Sequence, residues 1–394
     1  MFPLQNRSAV LLVIVLSQFF CTSLWFASNG IMTDLAFNFQ LQESALSHLT
    51  SAVQLGFISG TFLFALVSIA DRYSPSKVFF ASALLGALFN LGAAWDGNTL
   101  FSLLGFRFLT GFFLAGIYPV GMKIAADFFE KGLGTSLGFL VGALVLGTAL
   151  PHLLKDSTQA ISWKAVLVGT SSLAALGGSA IFIFVGNGPF RKRGTTFELS
   201  TIFKVFRNKS FREAAMGYFG HMWELYAFWA FVPFLLTYHK NQLLESELPV
   251  ALLSFLIISI GSVSCVAAGY LSKKINPKKI ARTALLVSGI CCLLSPMVLS
   301  QVNSVIVVGF LFVWGFFVIA DSPLFSTLVA HNAPAKNKGT ALTIVNCIGF
   351  AISIGSIQLL GFLSTQISPS YIFLFLAIGP AIGLLGLFKN DKKG

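Results

Sequence analysis

The chain has 394 residues, 56% of them hydrophobic and only 10% charged, against about 25% charged in water-soluble domains. A mean hydropathy of +0.83 and 42 phenylalanines exclude a water-soluble globular protein and point to one that crosses a bilayer many times. In such a chain a net charge of +12 reports topology rather than nucleic-acid binding, provided the charges fall on one side.

Apolar windows separated by polar punctuation predict an all-α membrane protein of twelve transmembrane helices. The first six lie at about 8–33, 45–70, 77–95, 99–127, 133–154 and 162–186. The second six lie at about 213–238, 248–272, 280–300, 303–330, 339–365 and 369–388. The first follows a single basic residue, Arg7, and is too long for a signal-peptide core, so it reads as a retained span. The polar stretch 188–212 separates an N-terminal six-helix half, 1–187, from a C-terminal half, 213–394. Part of this linker, from about Leu199 to Phe211, has the pattern of a short amphipathic helix on the membrane surface.

Loops assigned alternately to two sides segregate the basic residues. One side collects the clusters at 72–77, 191–212, 273–282 and 389–393, and the other only Lys155, Lys164 and Lys240. The positive-inside rule places the rich side, both termini and the linker in the cytoplasm, in a plasma membrane or the inner membrane of a bacterium. The five cysteines all fall in apolar runs without metal-ligand spacing and read as core residues.

A shift of about 204 residues superimposes landmarks of the two halves. Trp25 falls on Trp229, Gly111 on Gly315 and Pro119 on Pro323. Equivalent spans keep the same orientation, and a parallel six-plus-six repeat is expected to hold a substrate site near mid-membrane. The fourth span carries Arg107-Phe-Leu-Thr-Gly111, and the loop before the third carries Asp71-Arg72 followed by Lys77.

These features resemble the major facilitator superfamily over essentially the whole chain. Asp71-Arg72 is similar to that family's acidic-Arg signature, although the glycine expected before the pair is replaced near Ser68 and Ala70. Arg107-x-x-x-Gly111 is similar to its fourth-span motif. The fifth span keeps Gly138, Gly142 and Gly147 but places Pro151 away from them, which lowers the drug-antiporter reading. Ser23–Asn29 and Tyr118-Pro-Val-Gly121 resemble members grouped with nitrate and cyanate porters, yet the second span lacks the arginine that nitrate carriage implies. The resemblance implies a secondary transporter working by alternating access, with an inner-gate charge cluster of Asp71, Arg72, Lys123 and Asp127.

Charged residues without a mate in the repeat need a reason of their own. Arg107 aligns with Leu311, Asp321 with Ile117 and Glu224 with Phe20. Intramembrane charges are costly and mark functional sites by default. Glu224 lies near mid-span with His221 one turn earlier, and a carboxylate in a low-dielectric cavity suits reversible protonation. Either it couples protons or binds substrate, or it is a carboxylate capped by Tyr or Trp donors. Asp321 serves coupling or gating, or else answers backbone donors freed by Pro323. Arg107 attracts an anion or answers a carboxylate, or else anchors backbone carbonyls. Lys123 is expected to pair with Asp127 along the helix, and Asp127 to approach Arg72. Trp25, Asn29, Tyr118, Tyr226, Trp229 and Trp314 are candidate cavity walls.

No phosphate-binding loop, hydrolase elbow or zinc spacing is present in the sequence, so an enzyme is not expected. The expected protein is a monomeric carrier of a small anionic or zwitterionic metabolite, with no cofactor beyond a proton gradient, no nucleic-acid partner and the lipid bilayer as its surroundings. Symport leads; proton-coupled efflux of amphipathic compounds, or a non-transporting receptor or lipid-handling role on the same fold, are the alternatives.

Overall fold

A computed structural model describes residues 6–129, 133–156, 162–191, 205–243, 248–334 and 338–388. The expected surface helix and linker fall partly on 192–204, outside the described residues. Every regular element among the described residues is helical, and the chain forms two compact units, Met1–Phe197 and Glu198–Gly394.

In the first unit the spans are Arg7–Thr22 continued by Ala27–Gly30 and Met32–Phe39, then Ala45–Leu66, Pro75–Gly92, Leu100–Leu114 continued by Tyr118–Phe128, Leu133–Asp156 and Trp163–Phe184. In the second unit they are Lys209–Leu243, Val250–Leu271, Pro277–Leu299, Ser304–Ala320 continued by Ser322–Asn332, Lys338–Leu363 and Pro369–Leu387. Ten of these are long and apolar enough to cross a membrane by themselves; the broken first and the more polar seventh complete the twelve. Large apolar side chains such as Leu88, Phe101, Leu293 and Met297 are exposed, as suits surfaces that meet acyl chains.

Local sequence explains the helix starts. The third, ninth and twelfth spans open on Pro75, Pro277 and Pro369, where a missing N–H costs nothing and the fixed φ is already helical. The fourth opens with a reciprocal Thr99–Ser102 capping box.

Prolines also explain two breaks. Pro119 and Pro323 lie second in the lower helices of the fourth and tenth spans, and each denies a donor and a helical backbone to the residues before it. The fourth span is therefore not the single helix expected over 99–127. Helical spacing that would set Arg107, Gly111, Leu114, Tyr118 and Gly121 on one stripe holds only as far as Leu114, and Tyr118 begins a new helix, half-buried.

The repeat extends to contacts. A Cβ on Gly111 would overlap the carbonyl oxygen of Val53, and one on Gly315 that of Ile257, with both partners displaced by the same repeat. Small residues of this kind let membrane helices approach through their backbones. Gly111→Ala is expected to lower thermal stability by about 1–3 kcal/mol, because neither backbone can yield. Gly105→Ala, with nothing within 4 Å of the added carbon, serves as the silent control in the same detergent melting experiment.

Candidate functional site

Among the described residues each unit contains a buried polar centre built around a charged side chain. In the first unit it forms around Arg107, whose side chain is 1% exposed. Nη1 donates to the Leu24 carbonyl at 3.0 Å and to Asn90 Oδ1 at 3.2 Å, and Nη2 donates to the Trp25 carbonyl. Leu24 and Trp25 lie in the break between Thr22 and Ala27, where carbonyls lack the donors of a continuous helix. Asn90 is itself fixed from the sixth span, donating to Leu167 O, Thr170 Oγ1 and Ser171 Oγ at 3.0–3.3 Å. The guanidinium therefore holds the unwound part of the first span against the third and fourth.

In the second unit the centre is an anion. Glu224 is 1% exposed and accepts from Trp314 Nε1 at 2.6 Å and Cys292 Sγ at 3.4 Å on Oε1, and from Ser288 Oγ at 2.8 Å on Oε2. All three donors are neutral, and among the described residues no cation lies within ion-pair distance of it. One turn earlier on the same helix, His221 Nδ1 lies 2.8 Å from Asp321 Oδ1, both side chains being 1% exposed. His221 Nε2 has no partner among the described groups. Asp321 occupies the break of the tenth span but does not cap the helix below it; its side chain turns to His221 instead.

The structure thus brings Glu224, His221, Asp321 and Trp314 into one cluster, while Arg107 belongs to the other unit's centre. The candidate wall residues are mostly packed. Trp25, Trp229 and Trp314 are fully buried, with Trp25 against Phe57 at 4.7 Å between ring centroids and Trp314 against Phe228 at 4.8 Å. Tyr226 packs edge-on to Trp229 at 5.4 Å, and Asn29 donates to Thr50 Oγ1 at 2.9 Å.

At the end bearing the basic loops, one expected pairing is replaced. Lys123 pairs with Asp71 at 2.6 Å rather than with Asp127, and Arg72 is exposed and enters no ion pair among the described residues. The physical reason is the short helix Ile69–Arg72, entered through Ser68 in the left-handed conformation at φ 51°, which delivers Asp71 to Lys123. The Asp127 backbone carbonyl accepts from Phe190 N at 3.0 Å, and Arg191 donates to the carbonyls of Asp71 and Tyr73. Ser68 stands near where the family glycine was missing, and a left-handed backbone costs an L-residue about 1–2 kcal/mol. Ser68→Gly is therefore expected to raise stability by about 0.5–1 kcal/mol, read as a higher melting temperature.

Sequence reasoning missed Asn90, Ser288 and Cys292. Asn90 and Cys292 are separated by nearly the repeat offset on the third and ninth spans, so asking which polar residues fall on equivalent places was the signal that could have found them.

Two repeated six-span units with a polar centre buried in each define a secondary transporter architecture. The chain belongs to the major facilitator superfamily: the family model of that description matches residues 14–357. It is a transporter and not an enzyme. Among solved structures, the proton:xylose symporter XylE bound to 6-bromo-6-deoxy-D-glucose is similar at a TM-score of 0.75 and 14% identity, over 96% of this chain and 94% of that one. The human organic anion transporter MFSD10 (TETRAN) is similar at 0.71 and 14% identity, over 98% and 100%. Among curated proteins none matches significantly in sequence.

Proposed function

We propose that the chain is a proton-coupled symporter that moves a small polar metabolite by alternating access, with Glu224 carrying the proton. One observation supports this most: Glu224 is a buried carboxylate held only by neutral donors, one of which can reverse its role. Trp314 N–H can only donate, so Oε1 stays an acceptor in both protonation states. Ser288 Oγ lies within reach of both Oε2 and the Leu285 carbonyl, at 2.8 and 3.2 Å. A proton arriving on Oε2 is accommodated when Ser288 accepts from it and donates to Leu285 instead. The carboxyl group thus has a satisfied hydrogen-bond pattern whether charged or neutral, which a proton carrier in a membrane interior requires. His221 and Asp321 form the adjoining titratable pair through which Glu224 exchanges protons.

The expected anionic or zwitterionic substrate rested on the mixture of cations and acids in the membrane interior. Both terminal nitrogens of Arg107 are directed at Leu24, Trp25 and Asn90, which weakens the cation half of that ground. At 14% identity the solved relatives speak for the fold alone. The reading is tested by counterflow in proteoliposomes across a metabolite panel, followed by an imposed pH gradient. Exchange without the gradient and accumulation with it are expected. A panel without any exchange overturns the transport reading, and exchange without gradient-driven accumulation overturns the coupling.

A further inference from the structure

The first span carries Gln18 and Thr22 before its break and Trp25 and Asn29 within and after it, and the second carries Thr50, Gln54, Phe57 and Thr61 at helical spacing; Gln18 Oε1 lies against Gly121 of the fourth span. The two rows meet: Asn29 donates to Thr50, and Trp25 packs on Phe57. Gln54 falls between those two contacts. From the other flank comes the fifth span, where Pro151 Cβ lies 2.8 Å from the place a Cβ on Gly30 would take, and His152 follows it.

These rows carry an unusual density of unused hydrogen-bonding capacity. Gln18 and Gln54 are 0% exposed, and neither the oxygen nor the nitrogen of either carboxamide has a partner among the described groups. The same holds for Ser28 Oγ, Thr61 Oγ1 and His152 Nε2, whose residues are 2%, 6% and 2% exposed. A buried polar atom left unpaired costs about 1–3 kcal/mol, so natural proteins rarely leave several together without a purpose.

We propose that this face is the binding site for an uncharged polyhydroxy solute. The inference rests on the transport reading and names the substrate class. A carboxamide sets a donor beside an acceptor, and a hydroxyl both donates and accepts, so adjacent hydroxyls match each glutamine in two places. Trp25 and Phe57 supply an apolar face for the C–H side of such a molecule. A carboxylate fits worse, because the amide and hydroxyl oxygens would oppose it and the desolvation of a buried anion would go largely unrepaid. Among the described residues of the first unit the buried charged side chains are Arg107, engaged with the first span, and Asp127, near the far end of the fourth.

The experiment measures binding to the purified full-length protein in detergent, by melting temperature and tryptophan fluorescence. The probes are D-glucose, D-xylose and myo-inositol on one side, succinate and glutamate on the other. A saturable upward shift with at least one polyol and none with the acids is expected. Gln18→Leu and Gln54→Leu are expected to weaken that polyol at least tenfold. Without ligand they are expected to melt no lower than wild type, since each removes unpaired polar atoms. Glu224→Gln is expected to keep polyol binding, which separates this proposal from the coupling mechanism. Saturable binding of an acid without a polyol, no polyol binding at all, or polyol binding indifferent to both leucine variants overturns it. So does a ligand-free Gln54→Leu that melts lower than wild type, which would make the amide structural. Flux in proteoliposomes is a separate measurement, so absence of transport with intact polyol binding counts against the transport reading and not against the site.

Discussion

Glu224→Gln is expected to abolish accumulation driven by a pH gradient while counterflow of the same solute persists. The substitution keeps shape and removes titration. The remaining carbonyl oxygen still accepts from Trp314 and Cys292, and the amide nitrogen takes the place of Oε2, donating to Ser288 as the protonated acid would. The variant is thus fixed in the neutral pattern and should melt within about 1.5 kcal/mol of wild type, as isosteric core substitutions do. Glu224→Ala is the wrong comparison. It leaves the Trp314 N–H buried without an acceptor, at about 1–3 kcal/mol, and mixes a folding defect with a coupling defect. Proteoliposomes loaded at one pH and diluted into a more acidic medium provide the readout. If Glu224→Gln still concentrates solute above the equilibrium ratio, the proton travels by another group, and the His221–Asp321 pair is the next to test.

Much of this was written locally in the sequence. The glycines at 111 and 315 and the one-sided basic loops are signals that neighbouring residues suffice to interpret, whereas Pro119 and Pro323 were matched by the repeat without the breaks they cause being expected. The buried place of Glu224 was legible in the sequence, since a carboxylate in an apolar run can seldom face lipid. The break in the first span was not. Ser23-Leu-Trp-Phe26 contains neither glycine nor proline, and a helix would be the natural reading. What accompanies the opening there is tertiary, a guanidinium from a helix some eighty residues away occupying the freed carbonyls. The seventh span, at the equivalent place in the second unit, runs unbroken from Lys209 to Leu243. There Leu311 stands where Arg107 would be, and the charge is on the seventh span itself, at Glu224. Both units thus place a charge among their first, third and fourth spans, of opposite sign and with complementary partners: carbonyls for the cation, N–H, O–H and S–H groups for the anion. The Lys123–Asp71 pair was illegible for a different reason. It depends on the helix break at Ile117 and on the left-handed turn at Ser68, neither of which intrahelical spacing considers.

Arg107→Met is expected to lower the melting temperature sharply, by the equivalent of about 2–5 kcal/mol, which separates a structural anchor from a substrate-binding cation. Methionine fills a similar volume and spares the cost of burying a charge, which works in the variant's favour. Against that stand the Leu24 and Trp25 carbonyls, left without donors in a region where water cannot replace them. Two orphaned carbonyls and the loss of charge-assisted bonds outweigh the saving, even though Arg107 Nε has no partner among the described groups. Arg107→Lys keeps the charge but offers a compact ammonium that cannot span two carbonyls and Asn90 as a planar fork does, so it recovers only part of the loss. A substrate-binding arginine gives the opposite pattern: Arg107→Met would melt like wild type or higher, and only solute affinity would fall. The carbonyl of Trp25 is one of the two that Arg107 holds, and its ring lies on Phe57. Any loss of transport in Arg107→Lys should therefore appear first as weaker solute binding, transmitted through Trp25, in protein that is still folded.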